Sequence, residues 1–392
     1  MIQRRTFFLL ASLTAVAPLA IDLYLPSFGD IAKSLHRPFA DIQLTVTVFL
    51  LGFAIGMLFY GPLSDRFGRR RVIFAGLATF VFASAACTVS QTLDQLLVFR
   101  VIQAFGGGAT AVISRAVVRD LLGETEAARV IALLAITTAL VPLCAPLAGA
   151  FVLELGSWRF EFVVLTAFGL TALVAAYNML PETHRGLSHQ HSLKTAFQGY
   201  RIVLCKPQSW PLIASGGLLY AAMFAYITGT PFVYMSLYGL SQKAYGLLFG
   251  LNILSLSTLG FATSRLVTRT GTRFLIQRGG QLAMLGACLV LLAGWLGVVQ
   301  ALSLPTLVIG LMCCVGSVGL IGPNCAARLM ESFPANAGAA SALLGFSQFG
   351  LGALSSASVS WLADGSAHPM TGIVAGCAAC AFVATRLIQT PK

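Results

Sequence analysis

Charge is what this chain has least of. Only 10% of its residues are Asp, Glu, Lys or Arg, and 13 of the 392 are acidic, whereas about a quarter of an ordinary soluble domain is charged. A water-soluble fold so composed would have little to place on its surface. Histidine is equally sparse at 5. His184, His189 and His191 share one polar stretch with no neighbouring cysteine and with Glu182 as the nearby acid, which speaks against a metal centre. No Gly-x-x-x-x-Gly-Lys-Ser/Thr phosphate loop occurs, so the usual ATP site is excluded. The apolar segments contain no nucleophile paired with a base and no metal-ligand cluster, which speaks against an intramembrane enzyme. No cofactor is implied.

What is present in quantity is hydrophobic residues, 57% of the chain, at a mean hydropathy of +0.85. They come in blocks of about 20, the length that crosses a hydrocarbon core of about 30 Å. The net charge of +12 sits in the turns between blocks. It forms no basic face, so it implies membrane orientation and no nucleic-acid partner. Of nine cysteines all but Cys205 fall inside apolar blocks and read as small hydrophobes, the Cys377/Cys380 pair included. The N-terminal Arg4-Arg5 and the apolar run after it continue too far for a cleaved signal, so this run reads as a retained first helix.

Twelve spans are predicted, at about 6–27, 41–62, 72–91, 95–115, 130–152, 159–180, 209–233, 244–264, 274–297, 303–326, 338–361 and 370–388. Placing both termini in the cytoplasm puts twenty Lys and Arg on the inner side. Four stand outside (Lys33, Arg37, Arg159 and Lys243), with Arg100 left within the membrane, which accounts for all 25. That bias satisfies the positive-inside rule. The polar stretch 182–208 reads as a cytoplasmic linker between an N-terminal bundle, 1–181, and a C-terminal bundle, 209–392.

The two halves resemble each other, as repeats in transporters do. Gly52-x-x-x-Gly56 in span two matches Gly246-x-x-x-Gly250 in span eight. In the segments that follow, Leu63, Arg66, Gly68 and Arg70 align with Leu266, Arg269, Gly271 and Arg273, while Asp65 is replaced by Thr268.

Gly61-Pro-Leu-Ser-Asp65-Arg66-Phe-Gly68-Arg69-Arg70 resembles the signature loop between the second and third helices of the major facilitator superfamily. Span four, with Arg100-Val-Ile-Gln103, is similar to that superfamily's membrane arginine motif. Val141-Pro142-Leu-Cys-Ala-Pro146-Leu-Ala-Gly149 is similar to the antiporter motif of its drug:proton exporters, with alanine at 145 and 148 where glycine is usual. Asp22-Leu-Tyr24-Leu-Pro26, Arg119-Asp120-Leu121, Thr228-Gly-Thr-Pro231 and Phe333-Pro334 look like the bicyclomycin-resistance (Bcr/CflA) branch.

The resemblance implies an all-α membrane protein of major facilitator fold, twelve transmembrane helices in two six-helix bundles, sited in a bacterial inner membrane and monomeric. It implies proton-coupled efflux of drugs such as bicyclomycin and other small amphipathic compounds. The alternative is export of a native metabolite, such as cysteine or a siderophore. Gly61, Asp65, Arg66, Gly68, Arg69 and Arg70 would form a conformational latch, with Pro142, Pro146 and Gly149 loosening the antiporter helix.

Among the acids only Asp22 lies well inside a predicted span, and Glu154 and Glu161 flank the short turn after span five. Asp22 and Arg100 each stand about five residues from the outer end of a span, roughly 8 Å deep at ~1.5 Å per residue. Equal depth makes them expected partners in proton coupling, since intramembrane charges are costly and usually functional. Tyr24, Tyr226, Asn252 and Gln348 are the expected substrate contacts, aromatic or polar tips suited to amphipathic compounds.

Overall fold

The computed structural model describes residues 4–183, 193–297 and 300–388. The three linker histidines, His184, His189 and His191, lie outside the described residues. Among those described, every regular element is helical: α1 (Arg4–Asp22), α2 (Phe28–Leu35), α3 (Phe39–Phe67), α4 (Arg69–Val89), α5 (Leu93–Leu121), α6 (Glu124–Glu154), α7 (Arg159–Met179), α8 (Leu193–Leu204), α9 (Ser209–Thr230), α10 (Gln242–Trp295), α11 (Gln300–Ser332), α12 (Ala337–Trp361) and α13 (His368–Arg386).

Ten of these segments are long and apolar enough to cross a membrane. One of them, α10, has 54 residues, which at ~1.5 Å per residue is about 80 Å and far exceeds one crossing. It breaks at Gly271, where φ 79 and ψ 159 leave helical space, so α10 makes two crossings. The apolar Thr138–Glu154 portion of α6 completes the twelve that the hydropathy predicts.

Several boundaries move. The expected turn at 264–273 is helical on both sides of Gly271, because its Arg and Thr residues are solvated helix ends rather than loop. The stretch after span one, expected as loop, holds a 3-10 turn, Leu25–Ser27, and then α2. Span seven ends in a π-helical turn, Pro231–Leu237, where the proline takes a backbone donor out of the ladder.

The backbone divides into two compact units, Met1–Arg37 with Val48–Gln198, and Pro38–Thr47 with Gly199–Lys392. In the first, α4 and α5 cross at Gly76 and Gly106. A Cβ on Gly106 would stand 2.6 Å from the Gly76 carbonyl, so only glycine permits this approach. In the second, the first turns of α3 are tied to α9 and α12 by an amide and several hydroxyls. Gln43 Nε2 donates to the Thr228 carbonyl at 3.0 Å, and Ser356 Oγ lies 2.8 Å from both Thr47 Oγ1 and Thr228 Oγ1. Ser360 Oγ donates to the Ala40 carbonyl at 2.9 Å.

Candidate functional site

Within the first unit a cation is enclosed by aromatic rings. Arg100, on α5, is fully buried. Its guanidinium carbon lies 4.4 Å from the Tyr24 ring centre, 4.2 Å from Phe49 and 5.9 Å from Phe162. The negative faces of the rings partly replace the water that the charge has lost. Nη1 donates to the Ala20 carbonyl at 3.0 Å and to Gln103 Oε1 at 2.6 Å, while Nε and Nη2 make no hydrogen bond.

Arginine only donates, so Gln103 must present its carbonyl to it and turn its amide away. That amide donates to Ser84 Oγ at 2.7 Å, and Ser84 donates onward to the Phe80 carbonyl at 2.7 Å. The relay from α5 to α4 fixes the glutamine's orientation, and with it the arginine's.

The expected Asp22–Arg100 ion pair is not formed. Ala20 and Tyr24, four residues apart, share one face of the chain and both touch Arg100. Asp22, two residues from Ala20, is turned roughly 200° around the helix. Equal depth aligned the two along the membrane normal and left their directions open. Asp22 is 3% exposed, and its Oδ1 has no hydrogen-bond partner.

A second buried acid was hidden from sequence reasoning. Glu161, read there as flanking a turn, is 0% exposed in the first turn of α7. It accepts a hydrogen bond from Ser27 Oγ at 2.6 Å, and its Oε2 has no partner. The signal available was slight: Trp158 and Phe162 bracket it, and they pack edge to face at 5.9 Å. Gly149 of α6 lies against both the Leu23 carbonyl and Glu161, and a Cβ there would overlap the carbonyl and stand 3.3 Å from Glu161 Oε1. Pro142 and Pro146 lie inside the same helix.

At the turn between α3 and α4 the signature residues come together. Arg69 binds Asp65 Oδ1 and Ser64 Oγ, each at 2.5 Å through Nη1, and Asp120 Oδ2 at 3.0 Å through Nε. Thr183 Oγ1 donates to the same Asp120 oxygen at 3.2 Å. Arg70 Nη2 donates to the Tyr177 carbonyl at 2.9 Å, while Arg66 lies over the Phe67 ring. Gly61 has open space where a Cβ would stand.

Glu182 belongs to this cluster, although its position reads as linker. Its two oxygens accept from the backbone N–H groups of Arg69 and Arg70 at 2.9 and 3.1 Å, so it caps α4 and complements the helix dipole. Gly68 adopts φ +93, and a Cβ there would meet Glu182 Oε2 at 2.5 Å. Gly68→Ala is expected to cost about 1–2 kcal/mol from the left-handed backbone alone. The check is the melting temperature of the purified protein in detergent, and an unchanged value would count against a strained turn.

In the second unit, Tyr226 and Asn252 are fully buried and joined, Asn252 Nδ2 lying 3.3 Å from Tyr226 Oη and 3.0 Å from the Leu248 carbonyl. Phe249 stacks on Tyr226 at 5.4 Å, and Tyr245 and Tyr234 continue the aromatic run. Gln348 stands apart from this pair, half-buried on α12 beside Gly216 of α9. Tyr24 belongs to the first unit, where it packs against Phe28 and Phe162 as well as Arg100.

Comparison with known proteins gives this arrangement its kin. The family model described as Major Facilitator Superfamily matches residues 10–357. A bicyclomycin resistance protein homolog from Haemophilus influenzae is 28% identical, over 96% of this chain and 94% of that protein. Multidrug resistance protein D from Escherichia coli is 29% identical, over 89% of this chain and 87% of its own length. Among solved structures, a D-xylose-proton symporter superposes with a TM-score of 0.75 at 18% identity, over 98% of this chain and 97% of that one, a likeness of fold alone.

Proposed function

This chain belongs to the Major Facilitator Superfamily, and from that membership we propose that it exports drugs such as bicyclomycin, and other small amphipathic compounds, in exchange for protons. Two relatives named for bicyclomycin and multidrug resistance favour drugs over a native metabolite as cargo. The observation that carries proton coupling is Asp22, a 3% exposed carboxyl whose Oδ1 has no hydrogen-bond partner. A carboxyl so placed in a membrane protein exchanges a proton at a large energetic stake.

Asp22 takes up a proton from outside and yields it to the cytoplasm as substrate leaves, by alternating access. Arg100 acts on the same helix end through the Ala20 carbonyl and the Tyr24 ring. It holds the local positive charge that a deprotonated Asp22 answers. Tyr24, Tyr226, Asn252 and Gln348 contact substrate, and the Asp65/Arg69 cluster with Arg66, Arg70, Gly61 and Gly68 serves as the conformational latch. The bundles 1–181 and 209–392 are joined by a cytoplasmic linker, both termini are cytoplasmic, and the working unit is a monomer in the bacterial inner membrane.

The test is bicyclomycin transport in proteoliposomes with an imposed pH gradient. One pH unit is worth ~1.4 kcal/mol per proton, a roughly tenfold substrate gradient. Wild-type protein is expected to build a gradient of at least that size, and Asp22→Asn to fall well below the wild-type gradient while still exchanging substrate for substrate. Full coupling in Asp22→Asn removes Asp22 from the role, and absence of substrate-dependent proton movement in the wild type removes antiport.

A further inference from the structure

We propose that Glu161 is a second proton-binding carboxylate of this exporter, linked to Asp22 through Gly149 and the connector between α1 and α2. The inference deepens the proton-coupling assignment and rests on it. Its ground is the geometry of one small region of the first unit.

Glu161 is 0% exposed and has a single hydrogen-bond partner, the Ser27 hydroxyl at 2.6 Å, with Oε2 left without any. A structural carboxylate at such a site would be expected to hold a guanidinium or several N–H donors. None reaches it. Arg159, two residues away on the same helix, turns to the Ser34 hydroxyl and the Ser90 carbonyl instead. Arg100 spends its hydrogen bonds on the Ala20 carbonyl and Gln103 instead. On α2, Asp30 is the acid that acts on it electrostatically, and α6 presents backbone at Gly149. A hydroxyl can donate to a carboxylate or accept from a carboxylic acid, so Ser27 can serve Glu161 in both protonation states.

The link to Asp22 is short in chain terms. Asp22 ends α1, Ser27 ends the 3-10 turn that follows, and Leu23 between them bears with its carbonyl on Gly149. Gly149 in turn faces Glu161 Oε1. When a proton binds Glu161, the Ser27 hydrogen bond must reverse or weaken, and the segment carrying Asp22 is anchored at that bond. Gly149 lets α6 report the change, because no side chain stands between its backbone and either neighbour.

Two measurements test this on the full-length protein in liposomes. The first is infrared difference spectroscopy across a pH titration, reading the carbonyl stretch of protonated carboxyl groups without any substrate. A titrating band is expected that vanishes in Glu161→Gln and moves in frequency in Ser27→Ala, a variant that keeps the carboxyl should the first fail to fold. A band that never titrates, or that is indifferent to both variants, overturns the proposal.

The second is the bicyclomycin gradient sustained by one pH unit. It is expected to fall from about 100-fold in the wild type, two protons per cycle, to about tenfold in Glu161→Gln. If wild-type protein couples and Glu161→Gln keeps the 100-fold gradient, the exporter assignment stands and Glu161 loses its part. If wild-type protein moves no protons with bicyclomycin but the band titrates, the exporter assignment falls and Glu161 stands as a proton site.

Discussion

Arg100→Lys is expected to destabilise the protein more than Arg100→Met, by roughly 2 kcal/mol, although lysine keeps the charge. The burial cost of a cation, several kcal/mol after relaxation, is borne by both Arg and Lys. Arginine offsets it with a flat guanidinium lying 4.4 Å from one ring and 4.2 Å from another, while one nitrogen reaches both Ala20 and Gln103. Each desolvated cation–π contact is worth up to ~2 kcal/mol, and a hydrogen bond to a charged group ~1.5–3 kcal/mol. A single ammonium cannot occupy both ring faces and both acceptors at once. Methionine loses all four contacts but sheds the burial cost with them, so its net change is expected to stay within ~2 kcal/mol. Both variants should lose proton-driven export. Melting temperature in detergent ranks them, and a lysine variant as stable as wild type would show that the charge alone, and not the planar group, satisfies the site.

Gly149→Ala should be the most damaging small substitution in the first unit. In an ordinary helix interior this exchange stabilises by about 0.5–1 kcal/mol, through the entropy that glycine loses on folding. Here the added methyl falls onto the Leu23 carbonyl, a backbone atom that cannot rotate aside. Overpacking of this kind costs ~1–3 kcal/mol, so the sign is expected to reverse. Displacement of Leu23 also moves its neighbour Asp22, so transport should fall further than stability does. The control is Ala145→Gly, which puts glycine where the antiporter pattern usually has it and is expected to cost only the ~1 kcal/mol of helix propensity. Equal melting temperatures for Gly149→Ala and wild type would mean that α1 and α6 can separate without penalty.

The spans, their number and the signature turn were legible because they rest on length and local spacing. Asp22 and Arg100 stood out for the same reason, as charges inside long apolar runs. What was not legible depended on partners distant in the chain. Glu161 is buried by Ser27, 134 residues before it, and Glu182 caps a helix that begins 113 residues earlier. Neither residue departs from what a polar turn would contain. The partner of Arg100 was misjudged because depth was inferred and direction around the helix was not. Gln103 sat in the quoted motif, but its role as the relay to Ser84 needed the crossing of α4 and α5. Gln348 was grouped with Tyr226 and Asn252 on the resemblance of fold alone, and the neighbour the structure gives it is Gly216 of α9.

The break at Gly271 has a counterpart in the first half. Its φ 79 and ψ 159 nearly repeat the φ 93 and ψ 149 of Gly68, so the matching turns of the two halves share a backbone shape. Yet nothing stands within 4 Å of where a Cβ on Gly271 would lie, whereas Gly68 has Glu182 there, and Thr268 replaces Asp65. The second turn thus repeats the backbone shape and keeps arginines at 269 and 273, but has threonine where the first turn has the carboxylate that meets Arg69. The two halves therefore share the shape of a turn and differ in the charges that meet at it: an ion pair with a capping carboxylate at the first, open space beside the glycine at the second.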